Sequence, residues 1–267
     1  MIHLRKVKYI KHTNLKDCYP FNVPCIRKLD ELEFQSPVTI LVGDNGSGKS
    51  AFLKTLSLSI NAIPITGDYS STNYLSAEKD LSALLKLTWG IKINKGFFFR
   101  ADNYVNFINK ISNIHQEMNE ELVRVEDEYS NKSEYSKKLA KMPFMRSIYE
   151  LQETYGCDLS ENSHGESFLK FFAARLHNKS IYILDEPEVP LSPINQITLM
   201  GMIKEAVSND CQFIIATHSP ILMAFPNAEI YDLSGGYLKS CSYEEIESIS
   251  FLKSFLSDPN RYLRYLE

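Results

Sequence analysis

Gly43-Asp44-Asn45-Gly46-Ser47-Gly48-Lys49-Ser50 is the stretch that decides how this chain folds. It satisfies the spacing G-x-x-x-x-G-K-[ST], in which a glycine-rich loop cradles phosphate. PVTILV at 37–42, bounded by Pro37 and Gly43, suits a buried strand, and residues 49–60 suit a helix. The glycines let the backbone curl so that successive N–H groups converge on an anion. The positive end of the following helix adds to that attraction. Gly43, Asp44, Asn45, Gly46, Ser47, Gly48 and Ala51 are therefore the expected nucleotide cradle. Lys49 would neutralise the β and γ phosphates, and the Ser50 hydroxyl would hold Mg²⁺. A glycine-rich turn that merely starts a helix explains the glycines but not Lys49-Ser50.

Downstream, the apolar strand IYIL runs into Asp185-Glu186-Pro187. Ligands gather where parallel strands end, so Asp185 is expected to bind Mg²⁺ and Glu186 to polarise the attacking water. The bland alternative is a helix-capping loop. Another strand, FIIAT, ends in Thr217-His218-Ser219-Pro220. A lone histidine is usually a structural hydrogen bonder, yet here His218 closes a further apolar strand and is read as catalytic with Glu186 and Lys49.

Residues 160–168 read SENSHGESF. Ser163-x-x-Glu166 forms a capping box that starts a helix over 165–177. Such a helix tip, with Ser163 and Gly165, is also an anion site that can face nucleotide held by a second subunit.

The remaining sequence frames these elements. At 267 residues, the length fits one large domain or one domain with an insertion. A hydrophobic share of 44% permits a packed core. The net charge of -4 excludes a global basic field for nucleic acid, while a local patch stays open. Cys18, Cys25, Cys157, Cys211 and Cys241 form no CxxC pair and are expected as reduced, mostly buried thiols. MIHLRKVKYI lacks the apolar stretch of a signal peptide, and no window suits a membrane helix, so a soluble, cytoplasmic protein is expected. Strands are expected at 2–10, 29–34, 37–42, 180–185, 211–217 and 228–233, with further strands between 81 and 99. Residues 61–80 read as loop. Within 103–155, Ile111, Ile114, Met118, Leu122, Val125 and Tyr129 make a helical apolar stripe beside charged residues. That charged face is either simply solvated or part of a partner-docking lobe. Helices between strands imply a mainly parallel sheet interrupted by a helical insertion.

Taken together, GDNGSGKS, SHGES, YILDEPE and THSP resemble the ABC-type ATPases among the P-loop NTPases, in that family's order. The chain departs from Leu-Ser-Gly-Gly-Gln by carrying Asn162, His164 and Glu166 at the first, third and fifth places. DEPE-x-x-LSP with THSP looks like the soluble SMC-, RecF- and OLD-like branch, and is similar to small stand-alone bacterial AAA or ABC-type ATPases. The resemblance implies an α/β fold with an ABC-ATPase-like mixed sheet and an inserted helical subdomain. The expected division is a nucleotide-binding lobe at 1–100, the helical subdomain at 101–160, and the rest of the ATPase core at 161–267. It also implies a head-to-tail homodimer, with ATP on one subunit closed by Ser163, Gly165 and Glu166 of the other, and Pro190-Leu191-Ser192-Pro193 touching the partner. The family's lid-strand glutamine has no counterpart in GFFFRADN, where Asp102 or Asn103 can substitute. Tyr19 or Phe21 is a candidate for stacking on adenine.

The expected function is therefore an Mg²⁺-dependent ATPase, working as a dimeric clamp or switch in DNA maintenance or antiphage defence. Two alternatives stand beside it: a nucleotide sensor that holds a nuclease or toxin effector, and a transporter ATPase subunit.

Overall fold

The computed structural model describes residues 1–10, 17–64, 72–93, 95–155 and 164–264. In chain order the elements are β1 (Leu4–Tyr9), α1 (Pro24–Arg27), β2 (Glu31–Glu33), β3 (Val38–Val42), α2 (Lys49–Ser59), β4 (Ile63–Pro64), α3 (Thr72–Ser82), β5 (Leu85–Trp89) and β6 (Gly96–Arg100). Two long helices follow, α4 (Ala101–Glu128) and α5 (Glu134–Tyr155), and then α6 (His164–Ala173) and β7 (Ile181–Asp185). The chain continues through α7 (Pro193–Ser208), β8 (Gln212–Ala216), α8 (Pro220–Met223), β9 (Glu229–Asp232), β10 (Lys239–Cys241), α9 (Glu247–Ser257) and α10 (Asn260–Leu263).

The main sheet is mixed, with strand order β10-β9-β3-β8-β7-β6-β4. Every pairing from β9 to β4 is parallel, and only β10 runs antiparallel to its neighbour. β3, β7 and β8 are buried along their whole length. A strand covered on both faces must be apolar at every position, which is why these segments read as unbroken apolar runs. Alternate side chains then feed two cores. Ile40, Tyr182, Leu184, Phe213 and Ile215 join Phe168, Leu199 and Ile203 on one side. Leu41, Ile181, Ile183, Ile214 and Ala216 join Phe52, Leu53 and Leu56 of α2 on the other. Tyr182 stacks between Phe97 and Phe213 at centroid distances of 5.2 and 5.0 Å, a ladder across three strands. Each such pair adds roughly 0.5–1.5 kcal/mol beyond area burial.

A second, antiparallel sheet has the order β2-β1-β5. Leu4, Val7 and Tyr9 of β1 enter the α2 core. The buried Gln212 side chain ties the two sheets together: its Oε1 accepts from the amides of His3 and Leu4, and its Nε2 donates to the Leu4 carbonyl, all at 2.9 Å.

The segment 61–80, expected as loop, instead carries β4 and most of α3. Its Asn, Ser, Thr and Asp content hides a helix fixed from outside. Leu81 is buried, and Glu78, also buried, pairs with Lys54 of α2 at 2.9 Å. β5 leaves the main sheet for the antiparallel one, and β10 adds an edge strand beyond the expected set. Cys25 and Cys211 are buried as expected, but Cys18 is exposed and Cys241 only half-buried; Cys157 lies outside the described residues. The excursion after β6 is α4 packed against α5, with a Lys141–Glu126 ion pair between them. Ala101, Tyr104 and Ile108 anchor its start in the first core. Farther along, Met118, Leu122 and Tyr129 are half-buried and Val125 is buried, whereas Glu117, Glu120, Glu126, Asp127 and Glu128 are exposed. Those charges form a solvated face.

Candidate functional site

β3 ends at Val42, and the loop that follows turns into α2 through backbone shapes that only glycine adopts readily. Gly43, Gly46 and Gly48 have φ of 141°, 82° and 101°. Gly48 is required twice over. A Cβ there would lie 2.3 Å from Val23 Cγ1 and 2.5 Å from Cys25 Sγ. The segment before α1 therefore lies directly against the phosphate loop. Of its two aromatics, Phe21 belongs to the core and Tyr19 is exposed.

Lys49 is buried and folded back on the loop, donating to the carbonyls of Gly43 at 2.7 Å and Asp44 at 3.1 Å. Burial lowers its ammonium pKa, while the carboxylates of Glu186, Asp185, Asp44 and Glu188 oppose that shift. The Ser47 hydroxyl is buried without a protein partner, a polar atom of the cradle available to a ligand. Ala51 is buried in the first turn of α2.

Register brings the catalytic candidates to one sheet edge. Asp185 pairs with Ala216 across β7 and β8 and with Arg100 across β6 and β7. The Ser50 hydroxyl donates to Asp185 Oδ1 at 3.0 Å, joining the phosphate loop to the acidic strand end. Burial raises the Asp185 carboxyl to a pKa of about 6, against the opposing pull of Arg100 and the Ser50 hydrogen bond. A hydroxyl and a carboxylate are hard oxygen donors, the set Mg²⁺ takes together with phosphate and water, so these two residues fit that ion.

Glu186 turns sharply out of the strand with φ 52°, a left-handed shape that costs a non-glycine residue of order 1–3 kcal/mol. Its amide donates to the Ala216 carbonyl at 2.8 Å, which pins the turn. Its side chain stays half-exposed, with Oε1 3.7 Å from His218 Nε2. The His218 amide in turn donates to Glu188 Oε1 at 2.7 Å. Lys49, Ser50, Asp185, Glu186 and His218 thus converge from three neighbouring strand ends.

Two residues of this cluster were missed in the sequence. Arg100, the last residue of β6, places Nε 3.3 Å from Asp185 Oδ2 and one Nη 3.3 Å from Asp102 Oδ2. It lines a small cavity with Ser50, Ala101, Asp102, Asp185 and Glu186. A charged residue closing the apolar run GFFF was the available signal. Glu188 stood within DEPE without a role. Of the two lid-strand candidates, Asp102 lines the cavity, and Asn103 sits half-buried one step along α4.

The signature-like turn has other neighbours. Ser163 lies outside the described residues. Gly165 is buried, and a Cβ there would lie 2.6 Å from Asn195 Nδ2 and 3.1 Å from the Pro190 carbonyl, so glycine is needed for close packing within the chain. Glu166 is exposed in the first turn of α6. Leu191 enters the core, Ser192 caps α7 by accepting from the Asn195 amide, and Pro193 occupies its first turn. Gln196 accepts from the Ser219 hydroxyl and donates to the Leu191 carbonyl at 3.2 Å, linking this segment to the turn after His218.

Residues 67–224 match the model of the family described as "AAA domain, putative AbiEii toxin, Type IV TA system". That stretch begins after the phosphate loop and contains Asp185, Glu186 and His218. The chain is 29% identical over 195 residues to the phosphate import ATP-binding protein PstB 1 of Bacillus licheniformis, covering 68% of this chain and 67% of that protein. Among solved structures, cbiO1 from Clostridium perfringens, part of the ABC transporter complex cbiONQ, gives a TM-score of 0.46 at 17% identity, covering 97% of each chain. The Smc head domain from Pyrococcus furiosus, bound to the C-terminal domain of ScpA, gives 0.45 at 13% identity over 96% of this chain and 100% of that one. With more than half of its residues matched, the chain belongs to that AAA-domain family.

Proposed function

We propose that this chain binds ATP with Mg²⁺ and hydrolyses it, and that two copies close on the nucleotide as an ATP-driven clamp or switch. The observation that carries the chemistry is the junction of Ser50 with Asp185 at 3.0 Å, beside the Glu186–His218 pair. Ser50 and Asp185 would hold Mg²⁺, which would supply charge neutralisation at the phosphates. Lys49 exchanges its two loop carbonyls for phosphate oxygens. Glu186 orients the water and takes its proton as the water oxygen bonds to the γ-phosphorus. The bond from that phosphorus to the bridging oxygen breaks, and ADP leaves with the electron pair. His218 holds Glu186 in place and donates toward the transferred phosphoryl group.

Closure would bring Ser163, Gly165 and Glu166 of one copy over the nucleotide of the other. Exposed apolar side chains beside the 190–193 segment support a contact there: Val189, Ile194 and Ile197 are 55%, 76% and 61% exposed. Phosphate release that requires Mg²⁺, together with a doubling of mass by light scattering on adding a non-cleavable ATP analogue, is the expected result. A protein that binds no nucleotide, or stays monomeric when saturated, overturns the hydrolysis or the clamp respectively.

The family's description names a putative toxin of a type IV TA system; beside it stands a second reading, in which the bound nucleotide restrains a toxin or nuclease effector within antiphage defence. Co-purification of such an effector only with ATP distinguishes it from a clamp on DNA, whose affinity would be salt-sensitive. A cytoplasmic location fits either role. The likeness to a phosphate-import ATPase raises a transporter subunit, which the altered residues Asn162, His164 and Glu166 disfavour.

A further inference from the structure

We propose that Arg100 reads the terminal phosphate of the bound nucleotide, so that the pocket separates triphosphate from diphosphate. The inference rests on the ATPase reading above. Arg100 is placed by β6, whose parallel register sets it beside Asp185, at the same sheet edge as Glu186 and His218. Its cavity neighbours are the last residue of the phosphate loop, Ser50, and the carboxylates of Asp102, Asp185 and Glu186. A wall with Asp185 and Glu186 side by side repels a phosphate unless a cation balances it. In the ligand-free chain Lys49 is held on the loop side by Gly43 and Asp44, whereas Arg100 stands on the strand side of the same carboxylates. Its side chain is 30% exposed, so it is reachable from the cavity.

The guanidinium suits the task. It has more N–H donors than its contacts to Asp185 Oδ2 and Asp102 Oδ2 use, in a planar fork that matches phosphate oxygens. Asp102 is 75% exposed and can release its share of the guanidinium to solvent at little cost. The pair with buried Asp185 fixes the Arg100 side chain before any ligand arrives. The diphosphate leaves this group without its phosphate partner; the triphosphate does not.

The test is titration calorimetry of the full chain and of Arg100→Ala and Arg100→Lys, with a β,γ-imido ATP analogue and with ADP, each with Mg²⁺ and with chelator. For Arg100→Ala the expected result is a loss of about tenfold or more for the analogue and a change within about twofold for ADP. Arg100→Lys recovers part of the analogue affinity, and the selective loss persists in chelator. Equal losses for both nucleotides in both variants, or a loss confined to Mg²⁺, overturn the assignment, because Arg100 would then act on the fold or through the metal ligand Asp185. If the unsubstituted chain binds neither nucleotide, the ATPase reading falls with it. If the chain binds the analogue and Arg100→Ala binds it equally well, only the role of Arg100 falls.

Discussion

His218 Nε2 lies 3.7 Å from Glu186 Oε1, although the two residues leave different strands and their side chains are each about two-fifths exposed. Two backbone contacts fix the pair. The Glu186 amide is held by Ala216 at the end of β8, and the His218 amide is held by the Glu188 carboxylate in the turn after β7. Each strand end thus anchors the other, and the side chains are left half-exposed.

Glu186→Gln keeps the shape of the side chain and removes its ability to take a proton. Phosphate release is expected to fall by roughly 10²–10⁴-fold, with nucleotide affinity retained. The same variant should accumulate as an ATP-bound dimer, visible by size-exclusion chromatography with light scattering. Turnover close to that of the unsubstituted chain would remove Glu186 from the chemistry.

Glu188→Ala deletes the acceptor of the His218 amide. A hydrogen bond to a charged acceptor is worth about 1.5–3 kcal/mol, so kcat should drop by about tenfold or more through misplacement of His218. KM should change little, and Glu188→Gln, whose amide oxygen can still accept, should recover most of the rate. A loss in KM alone would argue for a binding role instead.

The pH response follows from Asp185. Burial raises its folded pKa to about 6, above its ordinary value of 3.8, so in this range the folded chain binds a proton that the unfolded chain does not. The ligand-free protein is therefore steadied by this group below about pH 4, and that contribution is lost as pH rises through about 6. Metal-dependent nucleotide binding has the opposite slope, because Mg²⁺ needs the ionised carboxylate. Calorimetry between about pH 5 and about pH 8 should show Mg²⁺–ATP affinity weakening below about 6, and Asp185→Asn should reduce the dependence to that of the nucleotide's own terminal phosphate.

Gly48→Ala and Gly46→Ala separate sterics from backbone shape. Both positions have positive φ, but an added Cβ meets Val23 and Cys25 at 48 and nothing within 4 Å at 46. Thermal unfolding should show Gly46→Ala losing about 1 kcal/mol and Gly48→Ala at least twice that. Equal losses would mean that Val23 and Cys25 move aside freely.

The phosphate loop, the carboxylates at 185–186 and His218 were all legible in the sequence, for a local reason. Phosphate-binding turns need glycine at fixed offsets, and strands buried on both faces must be apolar throughout, so PVTILV, IYIL and FIIAT announce where the sheet ends. Segments whose structure depends on distant partners were not legible. α3 looked like loop because Leu81 and the Glu78–Lys54 pair fix it from outside. β5 gave no sign of which sheet it would join, since strand partners are chosen by register and not by composition.

Sequence by itself determined the glycine-rich turn after β3 and the acidic strand end, because backbone conformation and burial demand those residue types wherever they stand. Only the tertiary structure decided that Arg100 would face Asp185 and that Glu188 would hold His218. An ion pair or a hydrogen bond between strand ends exists once parallel register has brought those ends together, and nothing in the spacing along the chain encodes that meeting.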